Sequence, residues 1–288
     1  MPTGDTPVRQ LRRLRVELRR RREALRLTQK EVAEALDWSA SKLIRIERGP
    51  VGISVTDVRA LLQHYRVTDT AWVDALVGMA RASKKPVWWH QYREFYAPAF
   101  LTFIGLEASS VRVRQFQGLV VPGLLQHRDY AGAMIGSRKP DDQRVVLATD
   151  VRMNRQQLLE REGHESSFII DESVLYRMIG SPDVMRAQLN HLIELGERPN
   201  VTIQVVPFSV GTHKGMKGSF ELLELSESQD DYAVLLEQPY EDHLIEDTSD
   251  ETREYVHIFG ELEKIALSPV DSAALIRTVI ASTGGAMS

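Results

Sequence analysis

Apolar residues recur at helical spacing through the first third of the chain and at mixed spacing beyond it. Leu11, Leu14, Leu18 and Leu25 share one stripe of a helix whose other faces carry arginine. Thr28 predicts the cap of a second helix, and Glu31, three residues on, completes a capping box. Val32, Ala33 and Leu36 give that helix its apolar face. After a turn at Asp37-Trp38, Ser39 can cap a third helix with Leu43 and Ile46 inward, and Gly49 stands where a left-handed C′ residue is wanted. Val58, Leu61 and Leu62 predict a helix over 56–65, and Trp72, Leu76 and Met79 another over 71–82. Short helices with brief connections make a bundle, and the second and third pair as a helix-turn-helix.

Ser83-Lys84-Lys85-Pro86 breaks the helical pattern, and the tandem Trp88-Trp89 predicts that the segment after it is packed. The rest mixes periods. Strands are expected over 109–116, 168–170, 201–206, 219–225 and 232–236. Helices are expected over 128–135, 143–161, 173–179, 182–195, 248–266 and 270–280. The expected organisation is a helix-turn-helix bundle (1–82), a linker or docking segment (83–98) and a larger α+β domain (99–288).

Charge sharpens this division. Residues 1–85 hold 18 Lys/Arg against 10 Asp/Glu, a net of +8, while 86–288 hold 18 against 30, a net of −12. The phosphate-seeking surface therefore belongs to the head, and the acidic body is repelled by DNA. Cysteine is absent, which excludes disulfides and thiolate sites. No apolar run approaches membrane-spanning length and no signal-type segment follows the basic start, so a cytoplasmic protein with no membrane partner is expected. The histidines show no metal-ligand spacing. His213 reads as a flexible-loop histidine, and Asp171-Glu172 as acids at a helix start. No metal, cofactor or enzymatic activity is expected.

The run Trp38-Ser39-Ala40-Ser41-Lys42-Leu43-Ile44-Arg45-Ile46-Glu47-Arg48-Gly49 resembles the repressor-like helix-turn-helix family of xenobiotic-response-element type. Further along stand Trp88-Trp89, Gly105-Leu106-Glu107, Val121-Pro122-Gly123-Leu124-Leu125-Gln126, Tyr130-Ala131, Arg152 to Gln156, Asp171-Glu172, Gln188-Leu189 and Val205-Val206-Pro207-Phe208. Together with the head these resemble the actinobacterial WhiJ-like, antitoxin-like regulators. That resemblance implies an all-α repressor-like bundle followed by an α+β domain that binds a small partner protein, often encoded next door, which modulates DNA binding. It also places Ala40, Ser41 and Arg45 towards base edges. Arg45 has the fork to pair with a guanine, and Ala40 offers only a methyl. Lys42 reads a base or a phosphate. Gln29 anchors to the DNA backbone and buttresses the third helix, with Lys30, Ser39 and Arg48 as further phosphate contacts. Ser39 reads equally well as an N-cap alone. Glu47 is implied to pair with Arg22, and Trp38 reads as core.

Specific binding by so small a head requires a homodimer on two half-sites of double-stranded DNA. For the body two functions stay open: a platform for a basic protein partner, or a pocket for a small-molecule effector. Leu119, Val120, Val121, Leu124 and Leu125, flanking Pro122, are either that docking surface or core.

Overall fold

The computed structural model describes residues 6–48, 52–138, 141–226, 230–238 and 242–283, and the chain divides into two compact units, 1–109 and 110–288. In the first unit the helices are α1 (Pro7–Ala24), α2 (Gln29–Ala35), α3 (Ala40–Arg48), α4 (Val55–His64), α5 (Thr70–Ala82) and α6 (Pro98–Glu107), with a short 3-10 turn at Trp88–Tyr92. Each of the first five helices starts on a side-chain cap, from Thr6, Thr28, Ser39, Ser54 and Asp69 in turn. Leu14, Leu18, Val32, Leu43, Ile46, Val58, Leu61, Leu62, Leu76 and Val77 close one core among them. Leu25 is not part of it. It caps the end of α1 and is 39% exposed, because the helix stops one residue short of the stripe's continuation.

The tandem tryptophans of the segment 83–98 are packed, as the sequence predicts. Trp89 is buried and its ring meets Trp88 edge-on. Downstream, α6 packs on α1: Thr6 Oγ1 donates to the Gly105 carbonyl at 3.0 Å, and a Cβ at Gly105 would lie 2.2 Å from Val8 Cγ2. The division between units therefore falls after Ser109, later than residue 98, since α6 finds its apolar partner in α1.

The second unit is an α+β fold on a mixed six-stranded sheet of order β3-β2-β1-β4-β5-β6. Its strands are β1 (Arg112–Gln117), β2 (Glu165–Asp171), β3 (Val201–Val206), β4 (Phe220–Glu224), β5 (Tyr232–Leu236) and β6 (His243–Ile245), and the first three run parallel. Around it lie α7 (Arg128–Arg138), α8 (Asp142–Arg155), α9 (Ser173–Tyr176), α10 (Pro182–Gly196), α11 (Asp250–Ile265) and α12 (Pro269–Thr283). Phe116, Ile169, Phe220, Leu222 and Val234 on one face meet Phe259 and Leu262 of α11. Strand β1 is central in the sheet and covered on both faces: Val113, Gln115, Phe116 and Gln117 are all buried. Of the residues flanking Pro122, Val121, Leu124 and Leu125 are core, and Leu119 alone is largely exposed.

Candidate nucleic-acid interface

The helix-turn-helix is assembled by local backbone chemistry. Thr28 Oγ1 accepts from the Glu31 amide, and the Glu31 carboxylate accepts in turn from the Thr28 amide at 2.8 Å. The Thr28 amide first and the Thr28 hydroxyl second, both donating to Oε2, hold the exposed Glu31 carboxyl below its ordinary pKa. Helix α2 ends in a Schellman turn. Trp38 N donates to Ala33 O, Asp37 N donates to Glu34 O, and Asp37 takes the left-handed conformation at φ 55°. Ser39 Oγ then accepts from Lys42 N at 3.2 Å and starts α3, so Ser39 acts as an N-cap in this structure.

Burial along α3 sorts its residues by role. Leu43 and Ile46 face the core, while Ala40, Ser41, Ile44 and Arg45 form one continuous exposed face. Arg48 is the last residue of α3; its side chain, and the whole of Gly49, lie outside the described residues. Lys30 is exposed on α2, with Glu34 3.8 Å away one turn along.

Glu47 is buried and ties three helices together. Arg22 of α1 approaches it with both Nε and Nη2, at 2.7 and 2.9 Å, and Gln29 of α2 donates to Oε2 at 2.6 Å. Arg22 also donates to the Leu27 carbonyl at 2.7 Å. The hydrogen bonding that Arg22 donates to Glu47 raises the pKa of Arg22 above its ordinary value. Gln29 thus buttresses α3 through a carboxylate. Tyr65, at the end of α4, is fully buried, and its ionisation is pushed up by burial first and by the Glu47 charge second. Sequence spacing gave no sign of this neighbour.

Lys42, expected to read a base or a phosphate, is held by protein groups in this structure. Its ammonium lies 2.7 Å from Asp57 Oδ1 and 3.6 Å from the centroid of the Trp38 ring. Asp57 also accepts from the Ser54 hydroxyl at 2.8 Å. Burial opposes the Asp57 charge, but Lys42 and Ser54 outweigh it and hold the carboxyl below its ordinary value. Lys42 therefore clips the start of α3 to the first turn of α4. Trp38, half-buried against the core, forms part of the clip.

In the second unit the acidic pair at the end of β2, Asp171 and Glu172, holds turns. Asp171 accepts from Ser173 N at 2.9 Å, and Glu172 accepts from Phe208 N at 2.7 Å. His213 departs from the flexible-loop expectation. Its side chain is 3% exposed, edge-on to Phe116, with Nε2 3.3 Å from Asp171 Oδ2. Close by in the topology, at the carboxyl ends of the parallel strands, Leu119, Tyr176, Met178 and Phe208 are more than half exposed, and Tyr176 stacks on Phe208 with centroids 6.1 Å apart.

Comparison with known families agrees with this anatomy. Residues 9–76 match the model described as a helix-turn-helix domain, and residues 100–278 match the model described as a domain of unknown function, DUF5753. No curated protein and no solved structure matches the chain. The head is thus that of a helix-turn-helix DNA-binding regulator, and, with most of its length so matched, the chain belongs to the DUF5753 family.

Proposed function

We propose that the protein is a sequence-specific, homodimeric transcriptional regulator that reads the major groove with α3, and whose acidic second unit binds a small basic protein that modulates DNA binding. The observation that carries the DNA half is the exposed face of α3, which presents Arg45 beside small side chains while Glu47 and Lys42 are spent on holding the helix in place. Arg45→Ala is expected to weaken binding to a selected operator by about 1–3 kcal/mol and to relax the requirement for one guanine per half-site. Quantitative band-shift on operator variants measures both. Unchanged affinity and preference would remove α3 from the groove.

Charge and surface chemistry support the partner reading. Residues 110–288 hold 17 Lys/Arg against 28 Asp/Glu, a field that steers a basic partner and opposes association with DNA. The exposed Tyr176, Met178 and Phe208 supply an adaptable apolar surface of the kind partners use. Engagement of Asp171 and Glu172 in turn-holding bonds supports a non-catalytic unit. Footprinting across the neighbouring genes, with and without the product of an adjacent small open reading frame, tests the partner half. Altered occupancy is expected with that product. A small molecule that shifts both melting and occupancy, with no effect of the protein, would put an effector pocket in its place.

A further inference from the structure

Ile44 is a large apolar side chain left 37% exposed in the middle of the DNA-facing surface of α3, one residue before Arg45 and one turn after Ala40 and Ser41. It takes no part in the core that Leu43 and Ile46 close. Nothing on an isoleucine side chain can hydrogen-bond to a base edge. In the major groove the one apolar group on a standard base pair is the C5 methyl of thymine. Any other edge under Ile44 would lose water and receive no hydrogen bond in return, which is unfavourable. The β-branched side chain has essentially one χ1 rotamer in a helix, so its methyl groups are held in fixed positions.

We propose that Ile44 is a specificity-determining residue that reads a thymine C5 methyl next to the guanine read by Arg45, so that each half-site carries a T adjoining that G. The proposal rests on the docking of α3 described above. Because a 5-methylcytosine carries the same methyl, a methylated C·G pair at that step is expected to substitute in part for T·A.

The test uses the full-length protein on duplexes it selects from a random pool. Each thymine of the selected half-site is replaced singly by uracil, which keeps the base pair and deletes only the methyl. Wild-type protein is expected to lose affinity about four- to tenfold at one thymine per half-site. Ile44→Ala is expected to bind the parent operator more weakly by a similar factor and to be indifferent to that uracil. Ile44→Val, which keeps the branch, should retain most of the uracil penalty. A half-site without thymine beside the guanine, indifference of the wild type to every uracil, or a penalty that persists in Ile44→Ala would each overturn the assignment. A penalty that persists there but vanishes in Ala40→Gly would transfer the contact to Ala40. Arg45→Ala, run alongside, separates the two levels: if it keeps full sequence preference, the docking itself fails, whereas if only the uracil series is flat, Ile44 alone is misassigned.

Discussion

Replacing Arg22 by methionine is expected to destabilise the first unit by about 3–5 kcal/mol and to abolish specific DNA binding. The Glu47 side chain is 1% exposed and that of Arg22 10%, so the substitution leaves a carboxylate in the core with Gln29 as its remaining donor among the bonds described. Methionine fills much of the volume of the arginine stem, so the loss reads the unpaired charge more than a cavity. It also releases the Leu27 carbonyl from Arg22 Nη1. Hydrogen exchange of peptides from α1 and α3 measures the effect locally, whatever the second unit does, and protection should fall by at least about a hundredfold. The double variant Arg22→Met, Glu47→Leu should recover most of the stability, since two apolar groups replace a buried pair at little cost. Unchanged exchange in the single variant would show that the pair contributes nothing to holding α3.

The second unit is expected to lose up to about 3 kcal/mol through His164 as the pH falls from neutrality towards 4. His164 precedes β2 and is 1% exposed, with Nδ1 3.2 Å from the Ser110 carbonyl and Nε2 2.9 Å from Ser166 Oγ. Burial, and then the nearby Arg161 guanidinium, push its pKa down from 6.5 to about 4. A histidine with a lower pKa folded than unfolded makes the folded state the poorer proton binder. Its contribution is therefore complete above about pH 6.5 and falls away down to about pH 4. Urea titrations of wild type and His164→Gln across that window isolate it, because every other carboxylate and histidine titrates in both. The wild-type midpoint should fall more steeply with acidification. Parallel slopes would show that His164 is free to protonate in the folded state.

The parts of the fold that were legible from sequence were those written in neighbouring residues. The Thr28–Glu31 box, the Asp37-Trp38 turn and the Ser39 cap each span three or four positions, and each stands where the spacing puts it. Helix α6 was missed because Phe100, Leu101, Phe103, Ile104 and Leu106 are apolar on nearly every face, so it has no stripe to read. Strand β6 has three residues, too few for any alternation. The Lys42–Asp57 pair leaves no mark in the sequence, since Asp57 stands 15 residues on, across a loop, where side-chain chemistry has no periodic signature. The burial of His213 is hidden for the same reason: the glycines around it suggest a mobile loop, while Phe116 and Asp171, distant in sequence, pack on it. At the interface, the exposed face of α3 was readable as a face, but Ile44 was absent from the expected contacts, since its exposure depends on how far Leu43 and Ile46 turn into the core.

The packing of α6 on α1 bears on how such a chain can be recombined. The matched DUF5753 segment begins at residue 100, inside α6, yet that helix rests on Val8 and Thr6 of the head through a glycine with no space for a side chain. A chimera joined at residue 83 or at residue 100 would graft a helix, or most of one, onto a foreign bundle that lacks its seat, and would strand an apolar surface. A junction after Ser109 keeps the seat and its occupant together. By the same logic, the first turn of α1 and the Gly105 region must vary together, so any head that has been exchanged within this architecture would have carried its own α6 with it.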